Sequence, residues 1–329
     1  MKPDGRARLL VFRLERLRRK RGDRVRRGLL RDDGKELPTL FVSGTARSGT
    51  TWLAEVLARA TRSRLMFEPL APPAVPGGLV LPVFPCLRPG EQMPALEAHL
   101  RRVFAGRIRN RWVDKQPVTC RPRGRLVKSV RASFMLGWLA RTFPDLVIVF
   151  VTRDPWSVVR SRIDMGWDPS PDLQTLLGEA SLLESLGPLA DRLREAQVRI
   201  ERPVGYDSTA AIVEANAVLW AVANRVAHAD LEEVPAVRVR YGTLRADPVG
   251  GFGRLIDEVA ACGTFDTGRA ERTLGSVRRP SMTSRTTPAT SGREPFVRRF
   301  GEPAAGRVDE IAEAFGLGWT LDPAASQAP

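Results

Sequence analysis

Residues 42–53 read Val-Ser-Gly-Thr-Ala-Arg-Ser-Gly-Thr-Thr-Trp-Leu. The apolar residues 40–42 predict a short buried strand, and a helix is predicted to begin at Thr50. The glycine-bounded loop between them directs backbone N–H groups and a helix N-terminus at one point, which suits a bound phosphate or similar anion. The spacing is that of a P-loop, but Thr50 stands where a nucleotide triphosphatase carries its lysine. The cation lies instead inside the loop, at Arg47.

A second candidate anion site follows the most continuously apolar run in the chain. Residues 146–152, Leu-Val-Ile-Val-Phe-Val-Thr, predict a central parallel strand. Arg153 follows the run directly, Asp154 and Pro155 are suited to begin a helix, and Ser161 lies eight residues after Arg153. An arginine fork and a hydroxyl suit a phosphate dianion. Taken alone, the pattern equally fits an ordinary strand–helix junction with a surface arginine.

The two motifs together resemble those of the sulfotransferases that use 3′-phosphoadenosine 5′-phosphosulfate (PAPS). Residues 42–53 resemble the family's 5′-phosphosulfate-binding loop, and Arg153 with Ser161 resembles its 3′-phosphate motif. In the tail, residues 279–285 resemble the flexible donor-covering segment of bacterial relatives, although disorder is the competing interpretation of that stretch. The resemblance implies PAPS as co-substrate and the following donor-binding residues: Arg47, Ser48, Gly49, Thr50, Thr51, Trp52, Arg153, Ser161 and Arg285.

Glu68 is the predicted general base. It follows a predicted strand, and Pro69 disfavours helical geometry at Glu68, so we expect its carboxylate at the carboxyl edge of the sheet, where open α/β folds bind ligands. Residues 67–70 resemble the Tyr-Glu-Pro segment of the Gal/GlcNAc 6-O-sulfotransferases. Cytosolic members of the family use a His two places after a Lys, but here Val130 follows Lys128 at that spacing. The resemblance therefore favours a carboxylate base and the carbohydrate-type branch.

Lys128 completes the predicted catalytic set of Glu68, Arg47 and Lys128. With Arg131 it resembles the Lys-x-x-Arg of the carbohydrate branch, which implies that Lys128 and Arg47 stabilise charge on the transferring group. The alternative for Glu68 and Lys128 is that both are ordinary solvated residues at strand ends. We expect no bound metal, because the loop, Arg47 and Lys128 would supply the positive field. A zinc site in particular is not expected, because the three cysteines and two histidines form no metal-ligand spacing.

Strands that alternate with helices predict an α/β fold, a three-layer doubly wound parallel sheet with a P-loop. After the strand at 146–152, the sequence predicts a helix from about 172 to 199, a long helix from about 209 to 229 and a last strand over 236–240. The predicted organisation is a basic N-terminal arm over residues 1–36 and a sulfotransferase domain over residues 37–329. The arm carries fourteen Lys or Arg against six Asp or Glu, so it holds more than half of the chain's net charge of +15. Such a segment suits peripheral contact with an anionic membrane, although a partly solvated helix is the more common outcome. We expect no nucleic-acid partner.

The sequence predicts a cytoplasmic location. No apolar stretch reaches the length of a membrane span, the N-terminus lacks a signal peptide's apolar core, and sparse cysteines fit a reducing compartment. The predicted reaction is transfer of a sulfuryl group from PAPS to a hydroxyl of a carbohydrate, glycolipid or small metabolite.

Two alternatives to the predicted reaction remain. One is a P-loop kinase or NTPase, with Asp154 as metal ligand. The other is a non-catalytic P-loop protein that binds nucleic acid or membrane through its arm.

Overall fold

A computed structural model describes residues 22–32, 34–75, 79–201, 208–277 and 292–321. Five parallel strands form one sheet in the order β2-β3-β1-β4-β5. Their bounds are β1 Thr39–Ser43, β2 Ser63–Phe67, β3 Gly124–Lys128, β4 Leu146–Thr152 and β5 Ala236–Arg240. The two strands predicted at 146–152 and 236–240 have the expected bounds. The α/β prediction with a parallel sheet is therefore confirmed.

Thirteen α-helices connect and cover these strands in the described part of the chain. The first seven are α1 Thr50–Ala60, α2 Pro94–Phe104, α3 Leu136–Thr142, α4 Pro155–Asp164, α5 Ser170–Leu177, α6 Ala180–Leu186 and α7 Ala190–Glu201. The remaining six are α8 Ser208–Asp230, α9 Tyr241–Ala246, α10 Pro248–Cys262, α11 Ala270–Leu274, α12 Arg293–Phe300 and α13 Glu302–Ala314. Residues 22–28 are also helical.

Alternate residues of each central strand point to opposite faces of the sheet, and both faces are covered by helices. On one face, Leu40, Val42 and Val149 pack with α1 and α10 in one apolar cluster. On the other face, Phe41 and Ile148 pack with α2, α3 and the end of α8. A third cluster joins α4, α8 and α13 with the helices between them. Because both faces are covered, the central strands β1 and β4 consist almost entirely of buried residues, as their apolar sequences predict.

The prediction of one helix over residues 172–199 is wrong. The structure has three helices there, α5, α6 and α7, because Gly178 ends the first and Gly187 the second. Gly187 adopts φ 54°, a left-handed conformation that other residues rarely take, and Pro188 follows it. The breaks turn the chain so that α5 and α7 both present leucines to the core: Leu173, Leu176 and Leu193.

The helix α8 is long and apolar enough, by length and composition, to cross a membrane, with a mean hydropathy of 1.2 over its most apolar window. The expectation that no apolar stretch reaches the length of a membrane span does not hold for this helix. In the structure 83% of that window is buried within the protein. Helices that pack against α8 include α4, α7 and α13, which explains why it is apolar on all sides.

The end of the predicted N-terminal arm is bound to the domain. Asp32 is buried and accepts hydrogen bonds from Arg64 Nη1 at 2.8 Å and from Arg125 Nη2 at 2.7 Å. Asp114 binds the other side of Arg64 through Nε at 2.9 Å. Two buried guanidinium groups are thereby balanced by two carboxylates, as buried charges require. Asp32 thus contributes to the buried contacts of the domain, although it precedes the predicted boundary. The boundary at residue 36 stays a prediction.

Candidate active site

The loop after β1 has the geometry that the sequence predicts. Gly49 adopts φ 92° and is the N-cap of α1, so only its left-handed conformation lets the helix begin directly after the loop. A Cβ atom on Gly49 would lie 2.4 Å from the Tyr241 ring, so a side chain there would force the loop or the ring to shift. Within the loop, Ser48 is buried, and its N–H donates to the carbonyl of Thr45 at 3.1 Å. The N-terminus of α1 is thus presented at the carboxyl edge of the sheet.

The second motif lies against the first. Arg153 Nη1 donates to the carbonyl oxygen of Arg47 at 3.0 Å, and Arg47 Nε donates to the hydroxyl of Ser161 at 2.8 Å. Asp154 caps α4 as expected, accepting from the N–H of Ser157 at 2.8 Å. The two candidate anion sites, 106 residues apart in sequence at Arg47 and Arg153, are therefore one cluster.

Strand order explains why these residues meet. The strands β1 and β4 are neighbours, but the chain leaves β1 toward β2 and leaves β4 toward β5, on opposite sides of the pair. The loops that follow them diverge and leave a crevice at this switch point, where open α/β sheets bind ligands. Arg153 is fixed there by contacts on two sides. Its guanidinium lies 4.5 Å from the Tyr241 ring centroid, and its carbonyl accepts from Trp220 Nε1 at 3.1 Å.

Glu68 and Lys128 form a buried ion pair at the ends of β2 and β3. The Glu68 carboxylate also accepts from the backbone N–H of Val130 at 3.2 Å. Register explains the pair, because Phe67 aligns with Lys128 across the two parallel strands and both chains then reach the same edge. Val130, which stands two places after Lys128 where cytosolic sulfotransferases carry a histidine, thus donates its backbone N–H to the Glu68 carboxylate. The alternative that both side chains are solvated is wrong.

The backbone of Glu68 is held in a strained conformation. Its φ is 44°, whereas the following proline predicts an extended residue. Its N–H donates to the Lys128 carbonyl at 2.8 Å, and its own carbonyl accepts from Trp112 Nε1 at 3.2 Å. A non-glycine residue with this φ costs about 1–3 kcal/mol, and such strain is concentrated at functional sites. The strain directs the Glu68 carboxylate onto Lys128 and Val130.

Lys115 joins this pair and was missed by the sequence analysis. Its Nζ lies 3.2 Å from the centroid of the Phe67 ring, and Lys128 Nζ lies 4.7 Å from the same centroid. Burial of the Lys115 side chain, together with the positive charge of Lys128, lowers its pKa to about 8, while Glu68 opposes the shift. One signal was available in the sequence. Of 52 basic residues only five are lysines, and two of these five are Lys115 and Lys128.

The remaining predicted donor residues lie beside the loop or outside the described chain. Thr50 and Thr51 open α1, and the Trp52 ring packs against Tyr241 at a centroid distance of 5.8 Å. Arg285, with its neighbours at 281 and 283, lies outside the described residues. The segment that follows is bound to α4, because the N–H of Gly292 donates to Ser157 Oγ at 2.8 Å, four residues before Ser161.

Comparison with known proteins identifies the family. A model described as "Sulfotransferase family" matches residues 38–202, half of the chain. These residues include both anion-binding motifs, Glu68, Lys115 and Lys128. No curated protein gives a significant match.

Three solved structures are similar to the chain over most of its length. The sulfotransferase domain from the curacin biosynthetic pathway is 16% identical, covers 86% of this chain and 99% of its own, and has a TM-score of 0.37. A sulfotransferase from Alicyclobacillus acidocaldarius is 15% identical, with coverage of 85% and 98% and a TM-score of 0.31. The sulfotransferase domain of the Synechococcus PCC 7002 olefin synthase is 13% identical, with coverage of 87% and 98% and a TM-score of 0.37. At these identities and TM-scores, the three structures do not by themselves decide the family. The family model does, since it matches half of the chain. The chain belongs to the sulfotransferase family.

Proposed function

We propose that the protein is a PAPS-dependent sulfotransferase that sulfates a hydroxyl of a carbohydrate, glycolipid or small metabolite. The observation that carries the proposal is the single cluster formed by Arg47, Arg153 and Ser161 beside the N-terminus of α1. PAPS has anionic groups at both its 3′ and 5′ positions. One cluster of guanidinium, hydroxyl and helix N-terminus offers hydrogen-bond donors to both groups. These residues fit PAPS, which supplies an activated sulfuryl group when bound.

Glu68 is proposed to accept the proton of the acceptor hydroxyl. The acceptor oxygen forms a bond to sulfur while the bond between sulfur and the phosphate oxygen breaks, and the proton moves to Glu68. The products are a sulfate ester and adenosine 3′,5′-bisphosphate. Lys128 and Arg47 stabilise the negative charge that develops on the departing phosphate and the sulfuryl group. Lys115 adds a third positive charge near Glu68 and Lys128.

The kinase or NTPase alternative is disfavoured by the same site. Thr50 occupies the position of the P-loop lysine, and the Asp154 carboxylate is engaged as the N-cap of α4. Transfer from PAPS in excess EDTA, together with retention on immobilised adenosine 3′,5′-bisphosphate, is the result expected of the sulfotransferase. Loss of all activity in EDTA with hydrolysis of ATP in its absence would support the alternative.

The decisive experiment compares Glu68→Gln with wild type, using labelled PAPS and a panel of glycans, glycolipids and hydroxylated metabolites. Removal of a general base is expected to lower kcat by about 10²–10⁴-fold. Binding of adenosine 3′,5′-bisphosphate, measured by calorimetry, is expected to persist. Glu214→Gln is the matched control, because Glu214 is also buried and ion-paired, with Arg199 and Arg307 on other helices. Equal losses in both variants would contradict the role of Glu68.

A cytoplasmic location and peripheral membrane contact through residues 1–36 are also proposed, with no nucleic-acid partner. The structure dictates how the arm is tested. Deletion of residues 1–36 would remove Asp32, the carboxylate that pairs with the buried Arg64 and Arg125. The deletion should therefore end at residue 21, so that this pairing is kept. The shortened protein is expected to keep its affinity for adenosine 3′,5′-bisphosphate and to lose retention on anionic vesicles. Unchanged vesicle binding would show that residues 1–21 are not the contact.

A further inference from the structure

A cavity of about 390 Å³ lies beside the carboxyl-terminal half of α1. Its lining comes from the helix over residues 22–28, from α1, from residues 116–119 before β3, and from α11 with its flanking residues. The buried lining residues include Glu55, Gln116 and Thr273. Cavities that hold small molecules measure about 300–1,000 Å³, so this cavity has room for a ligand of sugar size.

The cavity is separate from the candidate active site. The helix α1 begins at Thr50 beside the loop, and a helix rises about 1.5 Å per residue, so Arg59 lies about 14 Å farther along its axis. Arg62 directly precedes β2 and is therefore at the amino edge of the parallel sheet, whereas the loop after β1 is at the carboxyl edge. None of the proposed catalytic residues and none of the described donor residues line the cavity. A molecule bound here would occupy a second site.

Arginine dominates the charge of the lining. Among the described lining residues, five arginines and two carboxylates give a net charge of +3: Arg26, Arg59, Arg62, Arg269 and Arg272 against Asp23 and Glu55. Two of the arginines are near carboxylates, since Arg59 lies 3.8 Å from Glu55 and Arg62 Nη1 lies 3.1 Å from Asp266. The other three, Arg26, Arg269 and Arg272, make no ion pair with any residue that the structure describes. The cavity therefore attracts anions.

The fold accounts for only part of this positive charge. Cations near the carboxyl terminus of a helix are favourable because of the helix dipole, which explains Arg59 and Arg62 at the end of α1. The other three arginines come from the helix over residues 22–28 and from α11, so separate elements bring them to one cavity. Two buried atoms of lining residues, Arg62 Nε and Gln116 Oε1, have no hydrogen-bond partner within the described chain. Buried polar atoms are normally paired, and the surrounding charge favours an anionic partner.

We propose that this cavity is a second ligand site, which binds a phosphate or sulfate monoester carried on a hydroxylated body such as a sugar. The guanidinium groups donate to the ester oxygens, because their forked geometry matches these tetrahedral anions. The carboxamide of Gln116 binds a hydroxyl of the body, since an amide both donates and accepts. Arg26, Arg269 and Arg272 are exposed, so the affinity should fall as ionic strength rises.

Calorimetric titration of the full-length protein tests the proposal with three probes: glucose 6-phosphate, inorganic phosphate and glucose. Adenosine 3′,5′-bisphosphate is present at saturation, so that the crevice at Arg47 and Arg153 is occupied. Glucose 6-phosphate is expected to bind at least about tenfold more tightly than glucose, because a hydrogen bond between charged groups raises affinity roughly 10- to 150-fold. Equal affinities for the two, or no binding of glucose 6-phosphate, would overturn the proposal and leave the proposed function intact.

A double variant places the ligand in this cavity. Arg269→Gln combined with Arg272→Gln removes two exposed charges of the lining and should weaken binding of glucose 6-phosphate at least about tenfold. Arg102→Gln combined with Arg107→Gln is the matched control, because both arginines are exposed and neither lines the cavity. Both double variants should keep the wild-type affinity for adenosine 3′,5′-bisphosphate, which shows that they are folded. Equal affinities of the two for glucose 6-phosphate would overturn the assignment of the site.

Gln116→Met tests whether the ligand has a hydroxylated body. The variant should bind glucose 6-phosphate about fivefold more weakly, because one hydrogen bond to the sugar is lost. Its affinity for inorganic phosphate, which has no such body, should be unchanged. Equal losses for the two probes would overturn the proposed class of ligand.

Two sources supply this chemistry, a soluble sugar phosphate and the headgroup of a phosphorylated inositol lipid. Retention of the two double variants on vesicles with phosphatidylinositol 4-phosphate, compared with vesicles of phosphatidylserine, separates these sources. Weaker retention of the Arg269 and Arg272 variant on the first vesicles alone supports the proposal with a lipid headgroup as ligand. Equal retention of both variants, with the calorimetric difference between them intact, supports the proposal with a soluble ester.

Discussion

The charge of Lys115 is predicted to set the alkaline limit of activity. Burial and the neighbouring Lys128 lower its pKa to about 8, so at about pH 7 nine-tenths of the molecules carry the charge and at about pH 9 only a tenth do. If the charge stabilises the transition state, kcat/KM falls about tenfold over this interval. In Lys115→Arg the group stays charged, because guanidinium does not titrate in this range. The decline at high pH should then disappear.

The assay is the rate of transfer from labelled PAPS, with kcat/KM measured in steps between about pH 6 and pH 9.5. The pH dependence of kcat/KM reports groups of the free enzyme, which is the state that the structure describes. Lys35→Arg is the matched control, since Lys35 is exposed and outside the site. An alkaline limb that is identical in wild type and in Lys115→Arg would refute the reasoning, as would a wild-type rate that stays constant up to about pH 9.5.

Two further predictions concern the residues that hold the site in place. Asp32→Asn leaves a net positive charge among buried side chains, so the free energy of unfolding in urea should fall by about 3–5 kcal/mol. Burial alone would raise the pKa of Asp32, but its two arginine partners outweigh burial and lower it, so wild type should lose this stabilisation as the pH falls through the lowered value and the variant should not. Gly49→Ala should weaken binding of adenosine 3′,5′-bisphosphate at least about tenfold, because a Cβ would lie 2.4 Å from the Tyr241 ring and the loop must shift. Gly166→Ala is its control, since Gly166 has a similar φ of 66° with no atom within 4 Å, and equal calorimetric affinities in the two glycine variants would contradict the steric argument.

The sequence predicted the parts of the fold that local patterns specify. Residues 146–152 are apolar without interruption because both faces of their strand are covered, and that property is visible in sequence. The loop from Gly44 to Gly49 was equally visible in sequence, because both glycines stand where the backbone takes a positive φ. The close approach of Tyr241 to Gly49 is a second reason for glycine there, and only the structure shows it. The helix predicted over residues 172–199 was wrong, because Gly178 and Gly187 end helices within it and the chain changes direction there.

The candidate site depended on sequence and tertiary structure in different ways. Sequence by itself determined the chemical types: a loop with a helix N-terminus, an arginine after a central strand, and a glutamate before a proline. Only the tertiary structure decided that Glu68 pairs with Lys128, since parallel register aligns strands that are 60 residues apart in the chain. It also brought Lys115 to the Phe67 ring. Burial and charge at a site arise from neighbours distant in sequence, which no local pattern specifies.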